Sequence, residues 1–195
     1  DTKNYGGTDG KKWNTAGTNN WSTASLKTEL NGTYLTTLLG ISNVNNKLSN
    51  GIVNAKWHLG GPNGNNYLAK KVLELYELER NTSAVYTGNP SNIYAKLGII
   101  YPSDYGYAST DQACRSELWS SNCKNENWLF NSAYQWTLSP ISGYADYVFQ
   151  VYSGGLVVVS CANRANDVRP ALFLKSDVVI AGGTGESVEN AYTLE

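Results

Sequence analysis

The chain has 195 residues, 41% of them hydrophobic, only 16% charged, and a formal net charge of −1. That length supports one domain with a sizeable core, and the near-neutral balance excludes the basic footprint that a nucleic-acid or anionic-membrane partner demands. Fourteen Tyr, six Trp and nineteen Gly among many Asn, Ser and Thr describe a neutral, aromatic, hydrogen-bonding surface of the kind that binding modules use.

Residues 1–21 are Gly- and Asn-rich and read as an irregular loop pinned by Trp13 and Trp21. Ser22 is placed to cap a helix through Leu26 and Leu30, and Leu35, Leu38 and Leu39 resume the apolar face after Asn31-Gly32, which predicts two short helices. The alternation from Gly51 to Leu59 predicts a strand closed by Gly60-Gly61-Pro62. Asn66 then stands where it would cap a helix with Leu68, Val72, Leu75 and Tyr76 on one stripe and Lys70 one turn from Glu74. Leu97 to Tyr101 predicts a buried strand ended by Pro102, and Ser103 to Tyr107 a single helical turn. Residues 109–127 form a polar loop. Trp136-Thr137-Leu138, Val148–Tyr152, Leu156–Val159 and Val168–Leu174 supply the remaining strands, with Ser153-Gly154-Gly155 as a hairpin turn. Helices first and an antiparallel sheet afterwards make an α+β domain, and no repeat or linker divides 1–195.

Cys114 and Cys123 lie in the polar, turn-rich stretch, where a bridge between them would staple a short loop in an oxidising compartment. Their spacing fits no zinc pattern. Cys161 is left over, as an accident of a variable position, a small buried hydrophobe or a reactive thiol.

Trp21-Ser22 through Leu26-Lys27, Leu30-Asn31-Gly32-Thr33-Tyr34, Gly98 to Pro102 with Ser103-Asp104-Tyr105, Trp136 to Pro140, and Val168-Arg169-Pro170-Ala171-Leu172-Phe173-Leu174-Lys175 resemble an uncharacterised domain of surface and pilin-like proteins from gut-dwelling Gram-positive bacteria. The tail, Gly182-Gly183-Thr184-Gly185 and then Ala191-Tyr192-Thr193-Leu194, is similar to that family's ending. The resemblance covers nearly the whole chain. It implies a C-type-lectin-like fold, shared with formylglycine-generating enzymes and with the variable proteins of diversity-generating retroelements. In those variable proteins a strand, a turn, a polar stretch and a Val-Arg motif carry substitutions on a fixed scaffold. Val148 to Arg169 looks like such a segment, with Phe149, Val151, Gly155, Val157, Val168 and Arg169 as framework. The family's N-terminal strand pair and the anchor helix of its pilin members do not precede residue 1, which suggests a trimmed chain displayed at a cell surface through an N-terminal segment.

Strand alternation supports that division on its own: Phe149 and Val151 face one way, Gln150 and Tyr152 the other. Past the turn, Val157 and Val159 point inward while Leu156, Val158 and Ser160 point away. Apolar residues facing water on one side suggest contact with a partner. The competing reading is a sheet buried on both faces, since four consecutive apolar residues cannot be oriented by period alone.

Catalytic signals are weak. His58 is the chain's single histidine and, beside Trp57 in a strand, reads as a hydrogen-bonded structural imidazole. Asp104, Asp111, Glu117, Asp146 and Asp167 offer no spacing that pairs two carboxylates. Cys161 alone does not reproduce the redox cysteine arrangement of formylglycine-generating enzymes. The Glu-Pro-Asn, Gln-Pro-Asp and Trp-Asn-Asp motifs of calcium-dependent lectins are missing, and Gly182-Gly183-Thr184-Gly185 lacks the lysine of a phosphate loop and reads as a turn. The expectation is a non-enzymatic, extracellular ligand-binding domain without cofactor or metal. Its binding face comprises Tyr144, Asp146, Tyr147, Gln150, Tyr152, Leu156, Val158, Ser160, Asn163, Arg164 and Asn166, flanked by Trp136. Its partner is a protein or glycan on another cell or host surface, with no nucleic acid and no membrane contact. A fibre or adhesin subunit is the alternative, and an enzyme the third.

Overall fold

The computed structural model describes residues 5, 9–40, 46–63, 70–184, 190 and 192–194. Within them the chain is a mixed α+β protein of short helices and small antiparallel sheets. The elements run β1 (Lys11–Lys12), α1 (Ser25–Glu29), α2 (Leu35–Gly40), α3 (Asn46–Gly51), β2 (Ala55–His58), α4 (Val72–Arg80), β3 (Asn92–Ala95), β4 (Leu97–Ile99), α5 (Pro102–Tyr107) and α6 (Gln112–Ser116). They continue as β5 (Gln135–Pro140), β6 (Tyr147–Val151), β7 (Val157–Cys161), β8 (Ala165–Asn166), β9 (Pro170–Leu172), β10 (Ile180–Gly182) and β11 (Thr193–Leu194). Pairing joins β1 to β8, β2 to β3, β4 to β9 and β10 to β11, and β5-β6-β7 form the widest sheet. Among the described residues no helix is long and apolar enough to cross a membrane.

The first helical region departs from the sequence reading in two ways. Ser22 lies inside a 3₁₀ turn, Trp21–Thr23, whose cap is Asn20: its Oδ1 accepts from Ser22 N at 3.0 Å. The expected break at Asn31-Gly32 is a π-helical turn, Leu30–Tyr34, and helical backbone runs through it from α1 into α2. The cause is tertiary. Asn31 Nδ2 donates to Lys27 O (3.0 Å) and to Leu97 O (2.9 Å), while its Oδ1 accepts from Leu97 N (2.9 Å). One side chain thus imitates a strand partner for β4, and the extra residue of the π turn aims it there.

Downstream, the stretch predicted as one strand from Gly51 is divided: α3 ends at Gly51 and β2 is confined to Ala55–His58. The helix predicted from Asn66 is described from Val72, where Lys71 occupies the cap position; Asn66 and Leu68 lie outside the described residues. Val72 and Leu75 bury one side of α4, and Glu79, one turn on, is buried with them. Pro102 begins a helix as well as ending a strand. It sits in the first turn of α5, and Asp104 Oδ2 accepts from Tyr101 N at 2.9 Å, closing the helix entrance.

Strand β6 is the centre of the protein. In its antiparallel register with β7, Val148 faces Ser160 and Gln150 faces Val158, whereas Tyr147, Phe149 and Val151 face Cys161, Val159 and Val157. Opposite residues share a face of the sheet. On the Val148 side lies one core, with Trp13, Trp21, Trp57, Trp136, Leu138, Ala162 and Val168; on the Phe149 side lies a second, with Val72, Leu75, Tyr105, Leu118, Ile141 and Val157. Three of the four buried indoles also donate to backbone carbonyls: Trp13 to Thr137 (3.0 Å), Trp57 to Ala95 (3.0 Å) and Trp136 to Lys11 (2.7 Å). Each tryptophan therefore combines a large apolar burial with a tie between segments distant in sequence.

The polar loop is folded, not open. Asp111 caps α6 through Ala113 N (2.8 Å), Ser120 caps a 3₁₀ turn over Ser121–Lys124, and Cys114 and Cys123 are bonded to each other. This loop clamps the β6–β7 hairpin. Val157 N donates to Leu118 O (2.8 Å), and the Tyr105 hydroxyl lies 3.1 Å from Cys123 O and 3.0 Å from Gly155 O. Gly155 has φ +92°, and a Cβ there would stand 2.6 Å from Lys124 Cβ, so the turn admits only glycine.

Two stability outcomes follow from this packing. Trp136→Ala should cost about 3–5 kcal/mol in denaturant unfolding, against about 0.5 kcal/mol or less for Trp128→Ala, whose side chain is 76% exposed. Replacing both Cys114 and Cys123 with Ala opens a short loop and should lower stability by about 2–3 kcal/mol, with a matching fall in Tm.

Candidate functional site

The sheet alternation separates the sequence-predicted site residues into two hollows on opposite faces. On the Val148 face, Gln150, Ser160, Arg164 and Asn166 line an open depression of about 480 Å³ together with Tyr134 and Ala165. On the Phe149 face, Tyr144 and Tyr147 line a smaller hollow of about 190 Å³ with Ile141 and Val159. The eleven candidates therefore do not form one surface. Tyr152 belongs with the larger depression through its ring contact with Tyr134, and Val158 shares the face of Gln150. Asp146 and Asn163 are exposed in turns and line neither hollow, while Leu156 is half-buried in the hairpin turn.

Two expected outward residues are withdrawn from the surface. Gln150 is 6% exposed and Asn166 8%. Gln150 sits on the central strand opposite Trp136, and Asn166 is covered by pairing of β8 with β1. They hold each other, Asn166 Nδ2 donating to Gln150 Oε1 at 2.5 Å. The pair forms the floor of the depression, with its outer wall supplied by exposed Tyr134, Ala165 and Arg164. Trp136, expected as a flanking aromatic, is wholly buried beneath this floor.

Tyr134 and Tyr152 stand edge to face, centroids 4.9 Å apart with an interplanar angle of 81°. They are 42% and 40% exposed. A side-chain hydrogen bond in which Tyr152 donates to Tyr134 is the main cause that raises the Tyr152 phenol above its ordinary value. Tyr134 was missed because it lies in an irregular stretch between the polar loop and β5, where neither period nor motif marks it; only its bulk in a polar segment hinted at it.

The second hollow is built by one buried side chain. Asn19 Nδ2 lies within hydrogen-bonding distance of Ile141 O (2.9 Å), Tyr144 O (2.7 Å) and Tyr147 O (3.1 Å), and Asn19 Oδ1 accepts from Asn89 (2.9 Å). This fixes the β5–β6 turn and the Tyr144–Tyr147 edge-on pair above it, centroids 5.6 Å apart.

A third cluster lies away from both hollows. Glu79 is fully buried; its Oε1 accepts from Ser103 N at 3.0 Å, its Oε2 accepts from Ser103 Oγ, and Arg80 Nη1 lies 3.0 Å from Oε2. Burial pushes the Glu79 carboxyl up to about 8, against the opposing pull of the Ser103 donors and Arg80. Its signal was present in the sequence, because Val72, Leu75 and Glu79 share one helical stripe. Ser103 is also fully buried, so solvent reaches neither group and the pair serves as a polar joint between α4 and α5. His58 is not the hydrogen-bonded imidazole that was expected. Its Nδ1 is buried without a partner among the described residues, burial lowers its basicity, and it is the backbone N and O of His58 that pair with the Tyr101 hydroxyl, at 2.8 and 3.0 Å. Among the described residues no three His, Cys, Asp or Glu side chains gather as a metal site.

Because the Glu79 proton is held in the folded state and released near the ordinary carboxylate value in the unfolded chain, the native state binds the extra proton between about pH 4.5 and 8. This contribution is fully present below that window and is lost as pH rises through it. Glu79→Gln should therefore flatten the decline of Tm across the window, and the difference between the two proteins, on the order of a few kcal/mol, is read from paired denaturation curves at each pH.

Comparison with protein-family models, with curated proteins and with solved structures found no match.

Proposed function

We propose that the chain is a surface-displayed, non-enzymatic ligand-binding domain with a C-type-lectin-like fold, similar to the variable proteins of diversity-generating retroelements, and that its binding site is the depression beside the β6–β7 hairpin. The observation that carries this reading is the exposed Tyr134–Tyr152 pair set over a buried Gln150–Asn166 floor, on a sheet whose other face is anchored in a separate core. Aromatic side chains that remain in water at the rim of a rigid polar concavity are anchors for a partner, since they lose little entropy on binding. Helices preceding a run of antiparallel strands, and a Val168-Arg169-Pro170 segment that brings β9 to β4, support the fold assignment.

The alternative, a fibre or adhesin subunit, draws on a different feature: Phe173, Leu174, Val179 and Ile180 are all exposed. Concentration-dependent sedimentation would favour it.

Labelled protein incubated with intact epithelial and bacterial cells tests the recognition reading. Tyr152→Ala and Arg164→Ala should each lower retention at least tenfold, about 1.4 kcal/mol, while Tm moves by no more than about 2 °C. Retention unchanged in both variants moves the site elsewhere; a large loss of Tm in Tyr152→Ala makes that side chain core.

A further inference from the structure

The chemistry lining the depression selects among ligands. Its volume of about 480 Å³ falls in the range of small-molecule sites, roughly 300–1,000 Å³, and suits a compact ligand better than a flat protein face. The floor presents planar amides: with Asn166 Nδ2 bonded to Gln150 Oε1, Gln150 Nε2 and Asn166 Oδ1 are left as one donor and one acceptor without a partner among the described residues. Ser160 adds a hydroxyl that both donates and accepts. Such paired donor and acceptor groups match the vicinal hydroxyls of a sugar ring, each of which needs both. The tyrosine rim supplies the other half, because the C–H face of a pyranose is apolar and packs on an aromatic ring.

Charge narrows the class further. Arg164 lines the depression, and Lys12 stands directly opposite Ala165 in the β1–β8 ribbon, on the same side and exposed. Neither has an ion-pair partner among the described residues, and the lining includes no carboxylate among them. In a chain of net charge −1, a guanidinium in the concavity with no ion-pair partner among the described residues, and a lysine on the strand beside it, favour an anion there. A guanidinium in particular offers two parallel donors to a carboxylate or sulfate.

Resting on the reading of this depression as the binding site, we infer that its ligand is an acidic saccharide, bound without a metal ion. One ring lies against Tyr134 and Tyr152, its hydroxyls meet Gln150, Asn166 and Ser160, and its carboxylate or sulfate meets Arg164 with Lys12 beyond it.

The test is a printed array of oligosaccharides in which each sialylated, sulfated or uronic-acid-containing glycan is paired with its neutral counterpart, probed in EDTA. Wild-type protein should be retained on acidic members at least tenfold more than on their neutral partners. Arg164→Ala, an exposed position, should abolish that preference. Tyr152→Ala should lower retention on both classes, and Tyr152→Phe should restore it. Equal retention of acidic and neutral partners, or retention that EDTA removes, overturns the proposal. If no glycan is retained while the labelled protein still binds cells through Tyr152 and Arg164, the saccharide class falls and the recognition site stands. Failure on both array and cells removes both.

Discussion

Because β6 lies between two strands and between two apolar cores, its side chains from Val148 to Val151 are withdrawn from water whichever way they point. Val148 belongs to the core of the buried tryptophans and Phe149 to the core under α4 and α5. A strand held from both sides cannot slip by one residue without exchanging the two sets, since every side chain would change face. The depression and the smaller hollow inherit their positions from that register. So does the hairpin tip, which is further held by the Leu118 carbonyl of the disulfide loop and by the Tyr105 hydroxyl at Gly155 O.

This arrangement explains how a polar site is built next to a core. Gln150 and Asn166 are deep enough to be shaped by Trp136 and β1, yet they satisfy part of their hydrogen-bonding capacity with each other. Burying an amide without any partner costs on the order of 1–3 kcal/mol, so a mutual bond is what lets both residues face a concavity that is open to solvent. Two polar side chains, Asn19 and Asn31, do similar work elsewhere by standing in for strand partners at the β5–β6 turn and at β4. Asparagine is suited to this because its side-chain amide reproduces the donor and acceptor of a peptide group.

The parts legible in the sequence were those governed by local period. The alternation of Phe149, Val151 and Val157 against Gln150, Val158 and Ser160 divides the sheet as the pattern indicated, and the polar spacing of Cys114 and Cys123 marked a loop that closes on itself. What sequence pattern missed was set at long range. No local rule says that Lys11 and Lys12 will lie across Ala165 and Asn166, so the burial of Asn166 was invisible, and that of Gln150 depended on which strand became central. The π turn at Asn31 follows from a bond to Leu97, far along the chain. Trp136 read as surface because an indole in a polar neighbourhood gives no sign of a carbonyl waiting at Lys11. Tyr134 lay in a segment with no period at all.

The turn at Gly155 carries a consequence for anyone wishing to engineer this hairpin. Its left-handed backbone and its closeness to Lys124 leave no room for a side chain, while Gly154 beside it has only Tyr152 and Leu156 near its open side. A randomised library built on this hairpin should therefore hold position 155 constant and vary 152 and 156, which keeps the tip at fixed length and height above the sheet. Any binding surface selected there would then be made of exchanged side chains on a turn whose backbone is left as it is.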